Sequence, residues 1–270
     1  MKTRVLTGIA ILVPSVYLLG WSPKWLFLAV LIALVERGLY EYFFIAQQNS
    51  FPVFPAAGYA GGAAVCAAQW VDLRYGGRLE FAVLIGVLLL VSAGTLWKIR
   101  ELKQYLGCVC VTLFGIYYVA FTFSCLFPLR FSGLGVGLAN GRQIVFFLFA
   151  VICIGDIFAY FTGRALGRRL LFPRVSPKKT VEGALGGLGA SVALGWAWAH
   201  WFWQTDTWEL AIVLAVCVAV AGQVGDFVES AMKRGARIKD SGAILPGHGG
   251  LLDRVDSLLF GAPVLWLALA

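Results

Sequence analysis

Long apolar stretches separated by short polar ones run the length of this chain. The apolar runs fall at residues 5–21, 25–46, 53–71, 79–97, 105–127, 144–162, 184–203, 209–227 and 251–270. At a rise of about 1.5 Å per residue, roughly 20 residues cross a hydrocarbon layer about 30 Å thick. In such a layer each helix satisfies its own backbone hydrogen bonds, whereas an open strand does not. The pattern therefore predicts an all-α fold, a polytopic membrane helix bundle with about nine transmembrane helices. Lys2 and Arg4 ahead of run 5–21 resemble the start of a signal peptide. However, no small-x-small cleavage site follows, and Trp21-Ser22-Pro23-Lys24 reads as an interfacial turn, so an uncleaved first span is expected.

Composition strengthens this reading. Of 270 residues, 60% are hydrophobic and only 13% are charged, too few for the surface of a soluble domain this size. The same apolar and aromatic content excludes a disordered chain. The six cysteines sit inside apolar runs without metal-ligand spacing and read as small packing residues. The net charge of +8 reports membrane topology and attraction to anionic lipid, not a nucleic-acid partner.

With the N-terminus inside, sixteen Lys and Arg face the cytoplasm: Lys2, Arg4, Lys98, Arg100, Lys103, Arg164, Arg168, Arg169, Arg174, Lys178, Lys179, Lys233, Arg234, Arg237, Lys239 and Arg254. Five face outward, at Lys24, Arg74, Arg78, Arg130 and Arg142. This bias predicts a multi-pass protein of the inner (cytoplasmic) membrane with Lys178 and His248 on the cytoplasmic side and Asp206 and Ala270 outside. Two cytoplasmic loops, 163–183 and 228–250, are longer than helix hairpins need and strongly basic, which marks them as candidates for function. The expected organisation is one integral-membrane domain, 1–270. Within it, residues 1–143 act mainly as scaffold and lipid or dimer contacts, and 144–270 carry the active site.

The densest chemistry lies from Gly225 to Asp256, GDFVESAMKRGARIKDSGAILPGHGGLLDRVD. Asp253 and Asp256 are three apart at the start of the last run and share a helix face. Asp226 closes the preceding run. A single Asp at a helix start is explained by the helix dipole. Three at the membrane edge beside a basic loop point to a hard cation such as Mg²⁺, with Asp226, Asp253 and Asp256 as its ligands. Lys233, Arg234, Arg237 and Lys239 supply positive charge for phosphate, and Gly247, Gly249 and Gly250 leave backbone N–H groups open before a helix, a natural anion site. His248 stands in a polar loop between glycines. A second stretch carries Asp156 inside an apolar run and the polar turn Ser176-Pro177-Lys178-Lys179-Thr180, which is suited to wrapping phosphate oxygens.

These residues resemble the signature of the phosphatidate cytidylyltransferases, or CDP-diacylglycerol synthases. Its elements stand in order: Ser230, Lys233-Arg234, Lys239-Asp240, Gly242, Leu245-Pro246, His248-Gly249-Gly250, Asp253-Arg254 and Asp256. Ser176 to Gly183 is similar to a second segment of that family. The chain departs from it at Ile157 and Phe158, where a small or polar pair is usual, and at Val181, where Trp is common. The resemblance implies transfer of CMP from CTP to phosphatidic acid in a homodimeric membrane enzyme. It implies Mg²⁺ on Asp226, Asp253 and Asp256, in company with a monovalent cation such as K⁺. Lys233, Arg234 and His248 join the catalytic set, and Ser176, Lys178, Lys179, Thr180, Ser230, Lys239, Asp240, Gly249, Gly250 and Arg254 the substrate-binding set. The alternatives weighed against this are a CTP-dependent lipid-alcohol kinase, a CDP-archaeol synthase and, in another class, a cation-coupled transporter. A transporter is expected to hold its carboxylates near the bilayer midplane rather than at one edge.

Overall fold

The structure is a computed structural model that describes residues 13–133, 140–203, 208–242, 244 and 249–270. Every apolar run from the second onward is helical. We number the helices α1 (residues 13–20), α2 (Lys24–Gln48), α3 (Pro55–Tyr75), α4 (Leu79–Lys98), α5 (Leu102–Phe131), α6 (Gly141–Leu166), α7 (Val181–Trp198), α8 (Trp208–Gly235) and α9 (Leu252–Leu269). By length and composition α4, α5, α6 and α8 are each able to cross a membrane. Residues 5–12 of the first run, His248 and Asp206 lie outside the described residues.

Local chemistry sets the boundaries. Pro23 precedes α2 and Pro55 opens α3, positions where a missing N–H costs nothing. Gly76, at φ +67°, ends α3 in the left-handed region. Asp72 then accepts the Leu79 and Glu80 N–H groups at 2.7 and 2.8 Å, which caps α4 from across the turn.

The sequence places a loop from residue 228, but α8 continues to Gly235. No helix breaker stands in Phe227–Arg234, and Asp226, Ser230 and Lys233 then lie along one helix face. The chain leaves the helix through Arg237, at φ +57°. The loop 163–183 is not irregular either. It folds as an antiparallel hairpin of β1 (Leu170–Phe172) and β2 (Ser176–Thr180), pairing Leu170 with Thr180 and Phe172 with Ser176. Its strands are too short for an alternating pattern to announce them.

Packing divides the chain into two compact units. One comprises residues 1–128 and 232–255; the other comprises 129–231 and 256–270. The signature loop thus belongs with the N-terminal helices. The core of the first unit is built on Leu31, Val35 and Leu39 of α2, Val65 and Cys66 of α3, and Ile116 and Ala120 of α5, all 2% exposed or less.

In the second unit, α6 and α7 meet along a seam of small residues. Gly155, Ala159 and Gly163 on α6 face Gly183, Gly187 and Ser191 on α7, each set spaced by four. A β-carbon at Gly187 would stand 2.6 Å from the Gly155 carbonyl oxygen, and one at Gly183 would stand 2.7 Å from that of Ala159. Ser191 Oγ donates to Gly187 O at 3.0 Å. Such close backbone approach is how membrane helices gain dispersion contact without a hydrophobic driving force. The hairpin leads directly into this seam, because Thr180 is the N-cap of α7 and its side chain accepts the Gly183 N–H at 3.1 Å.

Candidate active site

The second unit encloses a cavity of about 600 Å³ between α6, the hairpin, the start of α7 and the polar half of α8. That is the size of a small-molecule site. Ser176, Lys178, Lys179 and Thr180 of β2 line it, with Asp156, Tyr160 and Arg164 from α6 and Gln223, Asp226 and Phe227 from α8. The hairpin is anchored on α8 by Phe172, whose ring meets Phe227 edge-on at 4.9 Å. Lys179 pairs with Asp226, and its ammonium also sits 4.8 Å from the centre of the Phe227 ring. Ser230 Oγ donates to the other Asp226 oxygen at 3.2 Å, one turn further along α8.

Smaller contacts hold the rest of the rim. Tyr160 OH accepts from Arg164 at 3.2 Å, and the Gln223 amide donates to Ala184 O at 3.2 Å. Glu182, one residue into α7, accepts the Arg168 and Arg169 N–H groups at 3.0 and 3.2 Å. These backbone bonds, the one from Arg168 foremost, hold its carboxyl below the ordinary range of 4.5. The turn between α6 and the hairpin is thereby tied to the start of α7.

The first unit carries a second cluster. Asp253 faces Lys233, and the two side chains are 9% and 10% exposed. The remaining Asp253 oxygen accepts from Gly250 N at 2.8 Å and Ser241 N at 2.9 Å, with Ser241 Oγ at 3.0 Å. Leu251 N and Leu252 N donate to Glu41 of α2, at 3.0 and 2.9 Å. Of the glycine amides expected to stand open before α9, that of Gly250 is taken by Asp253, and Gly247 lies outside the described residues. The N–H groups of Gly250, Leu251 and Leu252 point at protein carboxylates, which take the place an external anion would occupy. Gly249 adopts φ +81°, so the turn requires glycine for its conformation.

Of the expected site residues, Ser176, Lys178, Lys179, Thr180, Asp226 and Ser230 therefore come together in the second unit. Lys233, Gly250 and Asp253 come together in the first. Asp256, one turn beyond Asp253 on α9, accepts the Ser257 N–H at 2.7 Å. Lys239, Asp240, Arg234 and Arg254 are exposed, and Arg234 donates to Ile238 O at 3.3 Å. His248 is outside the described residues. Among the described residues, no three His, Cys, Asp or Glu side chains are gathered as metal ligands. The donor chemistry of the carboxylates suits a hard divalent ion, and Asp226 and Asp253 each already face a lysine ammonium.

Sequence reasoning missed Glu41, Ser241, Tyr160, Gln223 and Phe227. Glu41 had a signal: Glu36, Arg37 and Glu41 are ionisable residues inside an apolar run, which is costly unless they serve a purpose. The others carry no mark in a single sequence: Tyr160, Gln223 and Phe227 are ordinary helix residues until the hairpin folds over them, and Ser241 is one polar residue of a polar loop.

With this geometry in view, comparison with known proteins is direct. The profile of the cytidylyltransferase family matches residues 2–270. The phosphatidate cytidylyltransferase of Brucella abortus (strain 2308) is 41% identical over 214 residues, 74% of this chain and 78% of that protein. That of Bacillus subtilis (strain 168) is 44% identical over 130 residues, 48% of each chain. That of Staphylococcus haemolyticus is 30% identical over 277 residues, covering 98% of this chain and 97% of its own. The chain belongs to the cytidylyltransferase family.

Proposed function

We propose that this protein transfers the cytidylyl group of CTP to phosphatidate, yielding CDP-diacylglycerol and pyrophosphate. The observation that carries the reading is the cavity of the second unit, where three cationic side chains (Arg164, Lys178 and Lys179) and two hydroxyls (Ser176 and Thr180) converge beside Asp226. Its family membership over the whole chain supports the same reaction.

The chemistry fits that inventory. A phosphate oxygen of phosphatidate forms a bond to the α-phosphorus of CTP, and the bond from that phosphorus to the bridging oxygen breaks, releasing pyrophosphate. The attacking oxygen is already anionic and needs no strong base. The barrier lies in bringing polyanions together and in the charge on the transferring and leaving groups, which fixed cations offset by position and electrostatics. Lys178, Lys179 and Arg164 serve the phosphates, and Ser176 and Thr180 donate hydrogen bonds to them. Lys233 and Arg234 are assigned the same duty in the signature segment.

Mg²⁺ accompanying CTP is proposed to draw on the carboxylates of Asp226, Asp253 and Asp256, with K⁺ as a second cation; when bound, it neutralises phosphoryl charge. Asp226 would be one holder of that ion, and Lys179, which pairs with it, stands at the cavity wall where it can meet phosphate. His248, Ser230, Lys239, Asp240 and Arg254 stay in the proposed site on the strength of the signature.

The substrates also argue for position. The lipid enters from the bilayer and the nucleotide from water. The face of α6 that exposes Ile157, Phe158 and Phe161 gives acyl chains an apolar approach. We place the site on the cytoplasmic side of an inner membrane crossed nine times, in a homodimer. A membrane-impermeant reagent should then label a single cysteine at position 206 in intact cells and miss one at 178.

The decisive assay incubates purified protein with CTP, Mg²⁺ and phosphatidate. Mass spectrometry should find CDP-diacylglycerol and pyrophosphate in equal amounts. Formation of CDP and a phosphorylated alcohol from an alcohol acceptor instead would replace this reading with a kinase.

A further inference from the structure

Glu41 lies in the C-terminal third of α2, and its side chain is 0% exposed. Oε1 accepts from Leu251 N at 3.0 Å and from Arg37 Nη2 at 3.0 Å. Oε2 accepts from Leu252 N at 2.9 Å and stands 2.9 Å from Ser241 Oγ. The same Ser241 hydroxyl is 3.0 Å from Asp253 Oδ2. One serine thus bridges a carboxylate of α2 and the Asp253 carboxylate, whose other oxygen faces Lys233.

We infer that Glu41 is a positioning residue for the reaction: it fixes the start of α9 and Ser241, and through them the orientation of Asp253 and Lys233. The inference rests on the function proposed above.

Three observations support it. Removing a carboxylate from water costs several kcal/mol unless hydrogen bonds compensate. Here four donors do so: Arg37, the Leu251 and Leu252 N–H groups, and the Ser241 hydroxyl, whose one hydrogen is shared with Asp253. The last three lie in or beside the signature segment some 200 residues away in sequence.

Second, the glycines of that segment are shaped around this carboxylate. A β-carbon at Gly250 would stand 2.5 Å from Glu41 Oε2 and 2.1 Å from Ser241 Oγ; one at Gly242 would stand 2.9 Å from Oε1. They are small so that Glu41 fits.

Third, each carboxylate of the cluster faces a cation, Glu41 facing Arg37 and Asp253 facing Lys233. A group held by four fixed donors on a helix is the kind of support that keeps a functional carboxylate in place.

The test compares the parent protein, Glu41→Gln and Ser241→Ala, each purified, checked for monodispersity and assayed per folded molecule with CTP, Mg²⁺ and phosphatidate in mixed micelles. Glu41→Gln keeps the volume but turns an amide toward a backbone donor. Its kcat should fall about 10- to 100-fold with KM for phosphatidate within about threefold, the penalty expected of a reacting group displaced by up to an ångström. Ser241→Ala should lower kcat less, about 3- to 10-fold.

A purely structural role would lower yield and melting temperature and leave kcat of the folded fraction at the parental value; that result overturns the inference. If Glu41→Gln does not accumulate, Ser241→Ala decides, and parental kcat there overturns it equally. Absence of CDP-diacylglycerol from the parent itself would overturn the functional reading and this inference with it. An active parent with undiminished variants overturns this inference alone.

Discussion

Asp253→Asn separates an ordinary helix cap from a buried ion pair. Asn keeps one oxygen and nearly the same shape, so the bonds from Gly250 N and Ser241 N can survive. What it removes is the carboxylate facing Lys233, in a pair whose side chains are only 9% and 10% exposed. If Asp253 were just a cap, the loss would be about 1 kcal/mol. Removing one partner of a buried pair costs about 3–5 kcal/mol, because the other charge keeps its desolvation penalty. The difference, about 2–4 kcal/mol, should appear as coupling in a double-mutant cycle with Lys233→Met. In the Met background the ammonium is gone, and Asp253→Asn should then cost only about 1 kcal/mol. Unfolding by SDS titration in mixed micelles, followed by tryptophan fluorescence, measures all four corners. The reasoning is refuted if Asp253→Asn costs about 1 kcal/mol or less in both backgrounds, so that the cycle closes without coupling.

Asp226→Asn should lower turnover by at least about a hundredfold, since loss of metal-borne charge stabilisation costs several kcal/mol and each 1.36 is tenfold; initial rates across a Mg²⁺ series check it, and near-parental rates refute it. Glu182 is held below its ordinary 4.5, so its bonds to Arg168 and Arg169 contribute fully above that value and are lost as the pH falls through the depressed one. Amide exchange at those two residues should therefore lose protection on acidification in the parent and be indifferent to the same change in Glu182→Gln. Gly187→Val should cost about 1–3 kcal/mol by forcing the α6–α7 seam apart. In contrast, Gly189→Ala, where a β-carbon meets nothing within 4 Å and Ala is the better helix former, should hold or slightly raise the melting temperature.

Much of this architecture was legible in the pattern of residues, and the reason is the solvent. A bilayer leaves a long apolar run little choice but helix, and the runs read from the sequence coincide with α2 to α9 apart from their ends. The largest discrepancy is α8 reaching Gly235, because polarity alone does not end a helix. Phe227–Arg234 is polar on one face yet contains no residue that stops a helix. The signature from Ser230 to Asp256 was equally visible, since it depends on spacing along one segment.

What local pattern does not encode is which helix stands beside which. Glu41 and Leu252 are 211 positions apart, and nothing near either announces the bond between Leu252 N and the Glu41 carboxylate. That bond, with Asp253 on Gly250, decided the fate of the amides before α9. A glycine-rich helix start reads as an anion site in sequence, and here the protein's own carboxylates supply the anions. The hairpin was decided the same way. Ser176–Thr180 is too short to alternate visibly, and it becomes a wall of the cavity only because Phe172 finds Phe227 and Lys179 finds Asp226. The helices, the charge bias and the residue types for phosphate chemistry follow from composition and short-range spacing. Only tertiary packing determined which of those charges were already matched, because a charge is matched by whatever the fold brings within a few ångströms, however far away in the chain.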